Sequence, residues 1–256
     1  MFYDDELNVN KSMVGLMDAI SDLQTELGVE FKLRGFVKSE LFNEKQAEAM
    51  RRAGFRWILT GFESGSPRIL ENINKKADVD DNTRCFEIAR NAGLKVKALM
   101  SIGHAGESEK TIDETERWLS EMQPDDFDVT IITTYPGSPY YDHAIETSPG
   151  IWTYTSKNGD RLHSVAIDHN EVADYYKGDP DGGYRSYVYT DFLSQDDLVR
   201  ARGGMETSIR RKFDIPFNPG AEPTSYEHSM GQTLPKSILK TSSLKNERRL
   251  MLPVVS

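Results

Sequence analysis

Gly61-Phe62-Glu63-Ser64-Gly65-Ser66-Pro67 follows the apolar run Trp57-Ile58-Leu59 and opens a helical pattern. The stretch reads as the turn at the carboxyl end of a buried strand. Its glycines mark places where backbone passes close to something, Ser66 stands at a cap position, and Pro67 suits the first residue of a helix. About forty residues later Ile102-Gly103-His104-Ala105-Gly106-Glu107-Ser108 repeats the arrangement after the run Val96–Ile102. Strand, turn and helix in repeated succession predict parallel pairing, and in α/β proteins chemistry collects at the carboxyl ends of such strands.

Outward from these turns the alternation continues. Met1–Tyr3 reads as the end of a strand leading into Asp4, Asp5 and Glu6. Lys11–Leu27 carries apolar residues at 13, 16, 17, 20, 23 and 27, the helical period, and stops at Gly28. Phe31–Phe36 is a strand, Asn43 caps a helix through Ala53, and Arg56–Gly61 is the next strand. Asp81–Ala92 is helical, Val96–Ile102 a strand, Glu109–Met122 a helix stopped by Pro124, and Val129–Tyr135 a strand. Five strands joined by helical crossovers predict an α/β fold, a partial or complete βα barrel, with a doubly wound sheet as the alternative.

After Pro139 the texture changes to an α+β extension. Ile151–Thr155 and Leu162–Ile167 flank Asn158-Gly159, a strong hairpin signal. Val172–Tyr176 and Tyr184–Thr190 read as a second pair around residues 179–183, and Ser194 caps a helix to about Phe213. Beyond Pro216 the chain is polar and rich in Ser and Pro, predicting an irregular, mobile tail. The expected division is therefore 1–142, 143–215 and 216–256.

A formal net charge of -10 argues against general nucleic-acid binding, which needs a basic face. No apolar run approaches the roughly 18 residues of a membrane span. A cytoplasmic protein is the expectation. With one cysteine there is no disulfide framework and no multi-cysteine metal site.

Each turn has two readings. Glu63 and Ser66 are either capping residues or ligand contacts, and Lys75, 12 residues beyond Glu63, is either a solvated charge or part of a site. Gly103, Gly106, Glu107 and Ser108 carry the same ambiguity. Taken in order, these pieces resemble the radical S-adenosylmethionine superfamily, particularly the branch often found with a cobalamin-binding domain. The resemblance covers roughly residues 1–142. It implies that Asp4, Asp5 and Glu6 close the family's second strand and face the ammonium of S-adenosylmethionine. It implies that Gly61, Glu63, Ser64, Gly65 and Ser66 form the fourth-strand motif, with Lys75 holding the methionine carboxylate. Ile102, Gly103, Gly106 and Glu107 resemble the loop beside the adenine, and Tyr135–Pro139 the turn closing the sixth strand. A charge-assisted bond to the carboxylate is worth about 1.5–3 kcal/mol.

The family also carries a C-x3-C-x2-C loop after its first strand, holding a [4Fe-4S] cluster that binds and reductively cleaves the cofactor. This loop is absent from the sequence, and Cys85, spaced helically with Ile88, Ala89 and Ala92, is expected to be a core thiol. The chain is therefore expected to be the C-terminal portion of a longer radical enzyme, one half of a split enzyme, or a non-catalytic relative. A missing N-terminal segment or a partner chain would supply the cluster. The complete protein would generate a 5′-deoxyadenosyl radical and abstract hydrogen from a small organic substrate, with methyl transfer or ring rearrangement if cobalamin is also bound. Two rivals stand beside this: a non-catalytic protein binding a nucleotide-like ligand, and a barrel hydrolase holding a divalent ion on Asp4, Asp5 and Glu107. The histidines show no metal-ligand spacing, so no metal site is expected. His104 reads as an ordinary loop residue, and Asp125, Asp126 and Asp128 as a solvated turn.

Overall fold

Residues 6–166, 172–175, 184–216, 224–227 and 236–241 are described in a computed structural model of the chain. The expected strand Met1–Tyr3, together with Asp4 and Asp5, lies outside them, as does most of the tail. By their contacts the residues form two compact units: 1–100, 113–129 and 209–215 in the first, and 101–112, 130–208 and 216–256 in the second.

The alternation expected from the sequence is present. After a 3-10 turn at Leu7–Val9 come α1 (Met13–Leu27), β1 (Leu33–Phe36), α2 (Glu44–Arg52) and β2 (Phe55–Glu63). Then follow α3 (Pro67–Asn72), α4 (Val79–Asn91), β3 (Lys95–Ile102), α5 (Glu109–Met122) and β4 (Asp126–Ile131). The strands form one sheet in the order β1-β2-β3-β4, with β1–β2 and β2–β3 parallel. This is a partial βα barrel.

Local chemistry explains the boundaries. Asn43 and Gln46 form a reciprocal capping box at the start of α2, and Asp78 and Asp81 form another at α4, which therefore begins two residues before the expected Asp81. Gly28 ends α1 in the left-handed conformation at φ 64°. Phe55, Ile58, Val96 and Ala98 of the sheet and Cys85, Phe86 and Ala89 of α4 are all essentially inaccessible, and Phe86 of α4 packs near Phe62 of β2 with ring centres 6.3 Å apart. Each large apolar side chain so buried contributes about 1.5–3 kcal/mol. The apolar stripe of α1 is only half used: Met13 and Met17 are buried, whereas Leu16, Leu23 and Leu27 are exposed.

Asp126 and Asp128 do not form a solvated turn. They lie in β4 two residues apart, hence on one face, and Lys97 Nζ meets both, at 2.8 and 3.0 Å. Arg210, buried, donates to the Phe127 carbonyl at 2.5 Å and to Asp126 at 3.3 Å. The strand thus starts three residues before the expected Val129, because these carboxylates have cations to meet.

In the second unit follow α6 (Pro139–Asp142), β5 (Ile145–Ser148), β6 (Ile151–Thr155) and β7 (Arg161–Val165). Then come β8 (Val172–Tyr175), β9 (Val188–Thr190), α7 (Gln195–Phe213), whose residues from Ile209 on belong to the first unit, and β10 (Thr224–Glu227). The hairpin around Asn158-Gly159 is present, with Thr155 opposite Arg161 and Gly159 at φ 84°. The second expected pair is not. β9 pairs with β7, burying Val188 and Thr190, while β8 pairs with β10 from the region expected to be irregular. Burial of Val188 on an existing hairpin outweighs a local turn signal. Residues 194–197 cap α7, as Ser194 Oγ and Asp197 exchange bonds with each other's amides at 3.2 and 2.9 Å.

Candidate functional site

In the first unit β2 leads into the turn through a register irregularity between Gly61 and Glu63. Glu63 takes the left-handed conformation, φ 64°, which costs a non-glycine residue about 1–3 kcal/mol when held. Two groups pin it. Asn82 Nδ2 on α4 donates to the Phe62 carbonyl at 3.1 Å, itself fixed by Ser39 Oγ at 2.7 Å. Lys75 Nζ donates to the Gly61 carbonyl at 2.7 Å and lies 3.4 Å from Glu63 Oε1. Lys75 reaches back because α3 is short and Asn74, at φ 55°, reverses the chain after it.

Behind the turn stands the body of α5. Ser64 Oγ shares a 2.9 Å bond with Thr115 Oγ1, the Gly65 amide donates to the same oxygen at 3.0 Å, and the Ser66 amide donates to Ser64 Oγ at 3.0 Å. A methyl group on Gly65 would lie 2.6 Å from Trp118 Cβ and 2.9 Å from Thr115 Cα, so glycine is required for this approach. Ser66 is fully buried and its hydroxyl has no partner; it does not cap α3 through its side chain. A buried, unsatisfied hydroxyl costs about 1–3 kcal/mol.

In the second unit β3 ends at Ile102 and the loop passes through Gly103 at φ 88° and Gly106 at φ 84°. Glu107, buried, closes it: Oε2 accepts from the Gly103 amide at 3.1 Å and Oε1 from the Thr111 hydroxyl at 2.6 Å. Thr190 Oγ1 donates to the Glu107 carbonyl at 2.7 Å. His104 is no ordinary loop histidine. It is buried between Ser101 Oγ at 2.8 Å and the Tyr140 hydroxyl at 3.1 Å, and burial pushes the Tyr140 hydroxyl well above the usual phenol range. In the turn after β4, Gly137 has φ 89° and Ser138 caps α6, its hydroxyl donating to Tyr135 O at 2.6 Å.

The structure therefore brings Glu63, Ser64, Ser66 and Lys75 together around one turn, and Ile102, Gly103 and Gly106 into another. Glu6 is paired with Lys38 at 3.4 Å, which holds the lysine above its ordinary range. Asp4 and Asp5 are outside the described residues. Asn82 and Thr115 were missed from sequence. Asn82 carried a signal, a polar residue three and four positions before Cys85 and Phe86 on a buried helix face; Thr115 carried none.

No cluster of three or more candidate metal ligands occurs among the described residues. Each Glu107 oxygen accepts one hydrogen bond within its own loop, and Asp4 and Asp5, its partners in the hydrolase reading, lie outside the described residues. Cys85 is fully buried on α4 and its thiol is pushed up to about 12 by that burial, so this chain's residues do not fit an iron–sulfur cluster. No helix among the described residues is long and apolar enough to cross a membrane.

Residues 1–119 match the family model described as the radical SAM superfamily. An uncharacterized methyltransferase of Pyrococcus horikoshii is 30% identical over 144 residues, 56% of this chain and 31% of that protein. An anaerobic magnesium-protoporphyrin IX monomethyl ester cyclase of Rubrivivax gelatinosus is 24% identical over 119 residues, 46% of this chain and 21% of that protein. The chain thus spans less than a third of the length of these relatives. Among solved structures, the radical S-adenosylmethionine methyltransferase TsrM of Kitasatospora setae, with cobalamin and a [4Fe-4S] cluster bound, aligns at a TM-score of 0.51 and 17% identity. The alignment covers 60% of this chain and 32% of that one, a likeness of fold. The match over residues 1–119, which carry the parallel sheet and its strand-end turns, makes this part of the chain similar to the radical SAM superfamily.

Proposed function

We propose that this chain supplies S-adenosylmethionine-binding turns for radical chemistry on a small organic substrate in the complete protein. The observation that carries the proposal is the Lys75 ammonium held on Gly61 and Glu63. Of its three N–H donors, two meet the turn, which leaves one for the cofactor's carboxylate. Glu63 accepts from a ribose hydroxyl, and the unsatisfied Ser66 hydroxyl gains a partner from bound cofactor. Ser64, bonded to Thr115, acts by shaping the turn. The loop Ile102–Gly106 flanks the adenine with backbone groups, and Asp4, Asp5 and Glu6 serve the ammonium. The cluster comes from cysteines outside this sequence, on a preceding segment or a partner chain. Methyl transfer or ring formation, with cobalamin, is the chemistry suggested by the methyltransferase and cyclase names of the relatives. Residues 1–142, 143–215 and 216–256 would act as barrel, extension and tail of a cytoplasmic protein.

A second reading, binding of the same nucleoside without turnover, is favoured by the single buried cysteine. Calorimetric titration of the iron-free chain with S-adenosylmethionine tests the shared core of both. Saturable binding that weakens about tenfold or more in Lys75→Met supports the assignment. Unchanged affinity in that variant, or no binding by the wild type, overturns it.

A further inference from the structure

At the amino ends of the first three strands, the edge opposite the turn after Glu63, lies an open cavity of about 520 Å³ lined by Lys32, Arg34, Arg56, Trp57 and Lys95. The strand register sets its core: Arg34 is opposite Trp57, and Trp57 is opposite Lys95, so the three form one row across the sheet. Lys95 Nζ stands 5.2 Å from the centre of the Trp57 ring. Arg56 is bridged to Glu30, but Lys32, Arg34 and Lys95 have no carboxylate partner among the described residues.

The chain carries a net charge of -10, and its paired cations meet carboxylates, as Lys97 meets Asp126 and Asp128 and Arg84 meets Asp81; here three cations without such a partner are gathered on adjacent strands. Like charges gathered on adjacent strands repel and do nothing for folding. They lower the free energy of the folded protein only when an anion joins them. Guanidinium forks and ammonium groups suit phosphate oxygens, and several cations at once suit a compact anion of multiple charge. Trp57, half-exposed, offers a flat apolar wall beside them.

We propose that this cavity binds a small phosphate-bearing ligand of the di- or triphosphate class, at a site separate from the turns assigned to S-adenosylmethionine. The test is titration of the full chain with inorganic tripolyphosphate, and separately with citrate as a carboxylate of similar charge, followed by calorimetry and tryptophan fluorescence. Of the three tryptophans, Trp118 and Trp152 are buried, so the fluorescence response reports Trp57. Saturable binding of tripolyphosphate, tighter than citrate, with about tenfold loss in each of Arg34→Ala and Lys95→Ala, is expected. Both positions are exposed, and thermal melts verify that the variants remain folded. Arg117→Ala, an exposed cation on α5, keeps full affinity. The proposal falls if tripolyphosphate fails to saturate, if citrate binds as tightly, or if Arg117→Ala weakens binding as much as Arg34→Ala. Because Lys75 is untouched, failure here leaves the S-adenosylmethionine titration unaffected, and the converse holds.

Discussion

Glu63 occupies a backbone conformation that glycine would adopt freely, at φ 64°, in a turn that already contains two glycines. Strain kept at a ligand-facing position is a common arrangement of functional sites. Replacing Glu63 with glycine releases the strain but removes the carboxylate beside Lys75. The expected outcome is a melting temperature equal to or a few degrees above wild type, with S-adenosylmethionine affinity about tenfold lower. A large drop in melting temperature would show that the side chain is chiefly structural. Sequence spacing singled out the residues that make this turn and misread two of their conformations. Gly61 and Gly65 were read as places of close approach, and they are: a side chain on Gly61 would meet Glu63 Oε1 at 2.7 Å. The left-handed residue, however, is Glu63, and the hydroxyl of Ser66 does not cap. Both facts depend on Asn82 and Thr115, brought in from distant helices, which no local pattern reveals.

Elements with strong local chemistry were readable: capping residues at α2 and α7, the Asn-Gly hairpin, and Gly28 closing α1. Elements decided by distant charges or by competition between strands were not. The carboxylates of β4 read as a loop because Lys97 and Arg210 lie 29 and 84 positions away from Asp126. β9 joins β7 rather than its sequence neighbour β8. Arg210 is the sharpest test at this scale. It is buried beside Asp126, Asp128 and the Phe127 carbonyl, so Arg210→Met leaves Asp128, itself mostly buried, with Lys97 as its remaining cation. Removing one partner of a buried pair costs about 3–5 kcal/mol, and the retained Lys97 contact places the expectation at the lower end. Urea unfolding measures this; a loss below about 1 kcal/mol would show that Arg210 does not anchor β4.

At the scale of the molecule, the βα alternation and the family resemblance were legible because strand, glycine turn and helix recur in succession. Helical spacing also assigned Cys85 to the core, where it is fully buried. The turn after Glu63, with Lys75 folded back on it, is the proposed seat of S-adenosylmethionine. Hydrogen–deuterium exchange of the chain with and without S-adenosylmethionine measures this directly, peptide by peptide. Saturable protection of residues 61–66 that is lost in Lys75→Met is the predicted result. No protection of that segment under saturating cofactor, or the same protection in Lys75→Met, would contradict it.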